Sequence, residues 1–202
     1  MNAITSNTAL WYASRATGIV ALLMLTGVVV LGIAVRRQGR LPGLPRFGVI
    51  GLHRSISLLS VVFLAIHVVT AVTDPYVTLR LTDAVLPFVA SYKPLWIGLG
   101  AVSFDLMAAV IVTSLLRVRI GRPIWRAVHW LAYVSWPVAV AHSIGSSTDM
   151  QSGWLLGLAL GCVLAVVAAV AWRVAGETRT VPRPVRVSTL FTQLRRHEPI
   201  RR

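Results

Sequence analysis

Five apolar stretches divide the 202 residues, at about Trp11 to Val35, Val49 to Thr73, Leu95 to Leu116, Ile124 to Ile144 and Trp154 to Ala175. Each has the length, about 20 residues, that a helix needs to cross roughly 30 Å of hydrocarbon. A segment in lipid must satisfy its own backbone, which leaves helices or a closed barrel, and none of the five alternates as a barrel strand does. The expected fold is therefore all-α, a polytopic membrane bundle of five transmembrane helices surrounded by membrane lipid. Only 13% of the residues are charged.

Those charges are unevenly placed. Arg36, Arg37, Arg40 and Arg46 fill the first loop, Arg117, Arg119, Arg122 and Arg126 the third, and eight arginines the tail from Arg173 onward. The second loop balances Arg80 and Lys93 with Asp74 and Asp83, the fourth has only Asp149, and the first ten residues carry no charged side chain. Basic loops stay inside, so the N-terminus is expected outside and the C-terminus inside, as five spans require. The net charge of +14 is thus read as topology, and no nucleic-acid partner is expected. The membrane domain is taken as residues 1–175, and 176–202 as a basic cytoplasmic tail.

The start lacks a basic n-region, so no cleavable signal peptide is expected. Cys162 is the only cysteine, which excludes an intrachain disulfide or a cysteine-ligated iron–sulfur site and suits a packing role. Nineteen arginines against one lysine suggest a GC-rich bacterial genome and hence a multi-pass protein of the bacterial plasma membrane.

Four of the five histidines lie inside apolar stretches, His53 and His67 being 14 residues apart and His129 and His142 13 apart. Such steps separate the imidazoles of each pair by about 20 Å along a helix. With the topology above, helices two and four run in parallel, which pairs His53 with His129 near the inner side and His67 with His142 in the outer half. Two stacked bis-histidine haem sites would fit there. Zinc or di-iron sites would want carboxylates, thiolates or short spacings, which these pairs lack. The alternative reading is a haem-free transporter or assembly protein whose histidines line a proton path.

At about 100° per residue, His53 and His67 differ by roughly 40° around their helix, but His129 and His142 by about 140°. Pro137 lies between the latter two, so a distortion is expected near Tyr133 to Pro137. Gly18 and Gly32 on helix one are also 14 residues apart, a spacing that would admit two porphyrin faces or close helix packing. Gly153, Gly157 and Gly161 read as a small-residue packing ladder on helix five.

Further pieces resemble the ferric reductase-like transmembrane domain, the core found in ferric-chelate reductases, NADPH oxidases and the haem subunit of the bacterial methionine sulfoxide reductase system. They are Ser14-Arg15-Ala16, Leu52-His53-Arg54 with Ala65-Ile66-His67, Thr113-Ser114-Leu115-Leu116-Arg117, and Trp125 through Ala141-His142. The resemblance covers about Trp11 to Trp172. It implies two non-covalent haem b groups, with His53, His129, His67 and His142 as iron ligands, passing electrons across the bilayer. After the last helix about 27 residues remain, without a dinucleotide fingerprint, so no FAD or NAD(P) site is expected in this chain. The electron donor is then expected to be a separate flavoprotein reductase or a membrane quinol, and the acceptor to lie outside.

Charges within spans are costly and call for partners. Arg15, near the outer end of helix one, and Arg54, beside His53, are candidates for holding haem propionates, and an ion pair of Arg15 with Asp105 is a further expectation. Trp136, midway between the histidines of helix four, is a candidate aromatic bridge. The long outer loop, with Leu86-Pro87-Phe88 and Tyr92, is expected to cover the outer site. No residue is assigned a catalytic role of its own.

Overall fold

The computed structural model describes residues 3–36, 45–147 and 153–177. Arg37, Arg40, Asp149, His197 and the tail from residue 178 lie outside the described residues. The element order is α1 (Ala3–Arg36), α2 (Arg46–Thr73), α3 (Leu81–Val85), α4 (Pro94–Leu115), α5 (Arg117–Ile120), α6 (Arg122–His129), α7 (Leu131–Ser146) and α8 (Trp154–Glu177), with no strand among the described residues. Proline opens α4 and stands in the first turn of α6, where its missing N–H is not needed. Gly121, at φ 79°, supplies the left-handed turn between α5 and α6.

Among the described residues, four segments are long and apolar enough to cross a membrane, Ala9–Arg36, Phe47–Thr73, Pro94–Leu115 and Trp154–Ala175. They coincide with four of the five expected spans. The fourth expected span is broken instead into α6 and α7, and α7 alone has 16 residues, short of a full crossing at about 1.5 Å per residue. The break sits directly after His129, a turn earlier than expected from Pro137, which is accommodated inside α7. There Trp130 N–H donates to Ala127 O at 3.3 Å and Tyr133 N–H to Trp130 O at 3.0 Å. These i to i−3 bonds overwind the chain by about 20° per residue relative to an α-helix, in the sense that narrows the angular mismatch between His129 and His142.

The core gathers on α1. Leu22, Leu25, Val29 and Ile33 pack against Trp136 and Val140 of α7 and against Ala159, Cys162, Val166 and Ala169 of α8, so Cys162 does serve as a small packing residue. On its other side, Leu31 and Ala34 of α1 meet Val49 of α2. Two tightly packed helix pairs result, α1 with α2 and α4 with α7, while α2 makes no close backbone approach to α4, α6 or α7. The glycine ladder on α8 does not pack, because Cβ atoms at Gly153, Gly157 or Gly161 would meet nothing within 4 Å.

Trp136 is held in this core, with its Nε1–H donating to Thr26 Oγ1 at 3.0 Å, while the Thr26 hydroxyl donates to Leu22 O at 2.8 Å. Thr26→Val keeps the volume but leaves a buried indole N–H without an acceptor. The substitution is expected to cost about 1–3 kcal/mol, read as a lower thermal midpoint of the purified protein in detergent.

Candidate functional site

Between the two helix pairs lies a slot, and its half nearer His67 and His142, termed outer after the expected topology, is a cavity of about 1000 Å³, at the top of the range of ligand cavities, about 300–1000 Å³. Its floor is α1, its walls are α2 on one side and α4 with α7 on the other, and His67 and His142 enter it from opposite walls. Their ring centres are 6.4 Å apart with planes at 74°. At the other end of the slot, His53 of α2 and His129 of α6 come within electrostatic range of each other. The structure therefore brings together His67 with His142 and His53 with His129.

Each outer imidazole is fixed by a backbone carbonyl. His67 Nδ1–H donates to Ser14 O at 2.8 Å and His142 Nδ1–H to Trp96 O at 2.7 Å. A carbonyl only accepts, so Nδ1 carries the proton in both rings and each Nε2 keeps its lone pair. A metal–imidazole bond is about 2 Å and a ring nitrogen lies about 1.1 Å from its ring centre, so two imidazoles on opposite sides of one metal stand about 6.3 Å apart, centre to centre. The observed separation matches that value, and the slot leaves room for a planar group between the walls.

Helix carbonyls are normally shielded, because Cβ tilts toward the N-terminus and a side chain covers the turn preceding it. Here the residue four positions after each carbonyl is glycine. A Cβ at Gly18 would lie 2.9 Å from the His67 ring, and one at Gly100 would lie 2.7 Å from the His142 ring. The 14-residue step from Ser14 to Val28 on α1 repeats the step from His67 back to His53 on α2. Accordingly His53 turns toward Val28 O without closing a hydrogen bond, and a Cβ at Gly32 would stand 3.5 Å from its ring. Gly18 thus makes room for the His67 imidazole and also lines the cavity, while Gly32 lies in ordinary contact range of the His53 ring. Gly100 and the three carbonyls were not anticipated, although the matching 14-residue steps of glycine and histidine were the visible signal for half of the pattern.

The rim of the outer cavity is polar. Arg15 Nη2–H donates to Ser147 Oγ at 2.9 Å, and its guanidinium lies 4.0 Å from the Trp11 ring centre. Asp105 does not line the cavity. Lys93 Nζ donates to Ser146 O at 3.0 Å and Gly145 O at 3.4 Å, capping the C-terminal end of α7 where a cation is favoured. That cap holds Lys93 at φ 41°, in the left-handed region. In the outer loop the buried carboxylates of Asp74 and Asp83 accept N–H bonds from Tyr76 and Arg80, and these residues with Tyr92 line the cavity. Phe88 packs against Gly98 and does not line it.

Arg54 is exposed beside His53 at the inner end. His129 stacks at 5.0 Å on Trp125, whose Nε1–H donates to Ser114 Oγ at 3.3 Å. Trp136 lies in the core between α1 and α7 and does not line the outer cavity. Gly18→Ala and Gly100→Ala each drive a Cβ into an imidazole, whereas a Cβ at Gly27 meets nothing within 4 Å. The first two are expected to lose about 1–3 kcal/mol of stability and Gly27→Ala none, as read from melting in detergent.

Comparison with known proteins gives one positive finding. The family model described as the ferric reductase like transmembrane component matches residues 17–140. No curated protein and no solved structure matches the chain. The matched region runs from α1 into α7 and holds Gly18, Gly32, His53, His67, Gly100 and His129, with His142 two residues beyond it. With more than half of its length matched, the chain belongs to the family of ferric reductase-like transmembrane components.

Proposed function

We propose that the chain is a transmembrane b-type cytochrome that carries electrons from a cytoplasmic-side donor to an acceptor outside. The observation that carries this reading is the His67–His142 pair, two imidazoles 6.4 Å apart across a slot with both Nδ1 atoms committed to backbone carbonyls. Residues 1–175 form the haem-binding domain, with α6 and α7 together as the fifth span, the N-terminus outside and the C-terminus inside. Residues 176–202 are a basic cytoplasmic tail, and the protein resides in a bacterial plasma membrane.

The outer pair and its cavity suit haem, and the inner pair offers the same two imidazole donors. His67 and His142 would hold the outer group and His53 and His129 the inner one, through Nε2. Bound there, haem would supply one-electron carriage, and holding it by two imidazoles would suit electron transfer without direct substrate binding. What the chain does is orient the imidazoles, exclude water with apolar walls and set the charge around them. Arg15 stands at the outer rim, where a guanidinium suits a propionate, and Arg54 is placed for the same role at the inner end.

Donor and acceptor are other molecules, a flavoprotein or membrane quinol on the inside and an oxidised species outside. The exposed Arg117, Arg119, Arg122 and Arg126 give the inner face a positive field that favours an acidic flavoprotein. Haem reduction by a quinol analogue alone would assign the quinol, and reduction only with a flavoprotein the reductase.

The test is a set of reduced-minus-oxidised spectra of purified protein expressed with ample haem. His67→Ala or His142→Ala is expected to remove about half of the b-type band, and His53→Ala or His129→Ala the other half. Pairing of His53 with His142 as one site would overturn the arrangement, and lack of a b-type band in the unmutated protein would overturn the function.

A further inference from the structure

Three of the four candidate ligands face a helix carbonyl with glycine four residues later: His67 with Ser14 and Gly18, His53 with Val28 and Gly32, and His142 with Trp96 and Gly100. The fourth departs from this. The 13-residue step from His142 back to His129 corresponds on α4 to the step from Trp96 to Ala109, and the residue four positions after Ala109 is Thr113. The Thr113 hydroxyl donates to Ala109 O at 2.7 Å, with Val110 O at 3.2 Å. A threonine at this place covers the carbonyl with its Cβ and methyl and occupies it with its hydroxyl. Trp125, stacked on His129 and bonded to Ser114, puts His129 at this level of α4. His129 Nδ1 is buried and lacks a partner.

The geometry points to Thr113 as a positioning residue of the inner site, which keeps His129 without a hydrogen bond by taking the carbonyl that His129 would otherwise use. The inference rests on the haem reading above. An imidazole whose N–H is hydrogen-bonded is a stronger donor to ferric iron and lowers the reduction potential. The outer pair has two such bonds and the inner pair none: His53 Nδ1 turns toward Val28 O without closing one, and the carbonyl level with His129 is taken by Thr113. The side chain of residue 113 therefore tunes the inner level alone, without touching the iron or the porphyrin.

The experiment is a potentiometric titration of purified Thr113→Gly, alone and combined with His67→Ala, which leaves the inner site as the sole haem. Glycine uncovers Ala109 O, so the inner midpoint is expected to fall while the outer midpoint stays in place, with a matching change in the inner low-spin electron paramagnetic resonance signal. A structural role alone would lower haem content or melting temperature without moving one midpoint selectively. An unmoved inner midpoint, or equal movement of both, would overturn the role of Thr113 while leaving the haem reading intact. Absence of haem from the unmutated protein would overturn both. If Thr113→Gly does not accumulate, Thr113→Ala decides: removing the hydroxyl and methyl from Ala109 O is expected to lower the inner midpoint alone by a smaller amount, and no change there contradicts the inference.

Discussion

An imidazole buried among apolar helices needs an acceptor for its N–H, and every carbonyl around it is already engaged in a helix. The bond from imidazole Nδ1 to a helix carbonyl resolves that conflict, and much of the structure follows from it. A carbonyl oxygen has a second lone pair, so it accepts the imidazole without giving up its helical bond. It is reachable only where no Cβ covers it, which is what Gly18 and Gly100 provide. With the Nδ1 proton committed, the lone pair of Nε2 faces the slot at His67 and His142. Helix packing, tautomer and ligand direction are set by one contact.

The same contact explains why the bundle divides into two tight pairs with a gap between them. His67 ties α2 to α1 and His142 ties α7 to α4, leaving the space between α2 and α7 to whatever the imidazoles hold. The outer end is closed by polar chemistry suited to an interface. Lys93 and Arg15 converge on the C-terminal end of α7, and the loop keeps its shape through carboxylates bonded to their own backbone.

The spans were legible because hydrophobic length is a strong signal, and four of them match the helices closely. The register of histidines was legible for a similar reason, since the 14-residue step is fixed by helical rise. The break between α6 and α7 was foreseen but placed too late. Pro137 drew attention, yet the tightened turns fall at Trp130 to Tyr133, where His129 must be brought round. Gly18 and Gly32 were noticed without their function, because spacing within one helix does not reveal what faces it. Gly100 escaped altogether, as its partner His142 lies on a helix connected through a break. The α8 glycines gave the reverse error, since a small-residue ladder in sequence carries no information about whether a neighbour is present.

The central claim is that one chain carries two stacked haems, each between two imidazoles. The most direct measurement is the haem-to-protein ratio of the purified, fully loaded chain by pyridine haemochrome assay, read together with its oxidised electron paramagnetic resonance spectrum. The account predicts two b-type haems per chain, both low-spin with two imidazole ligands. A ratio of one, or a high-spin signal from a haem with an open axial position, would contradict it.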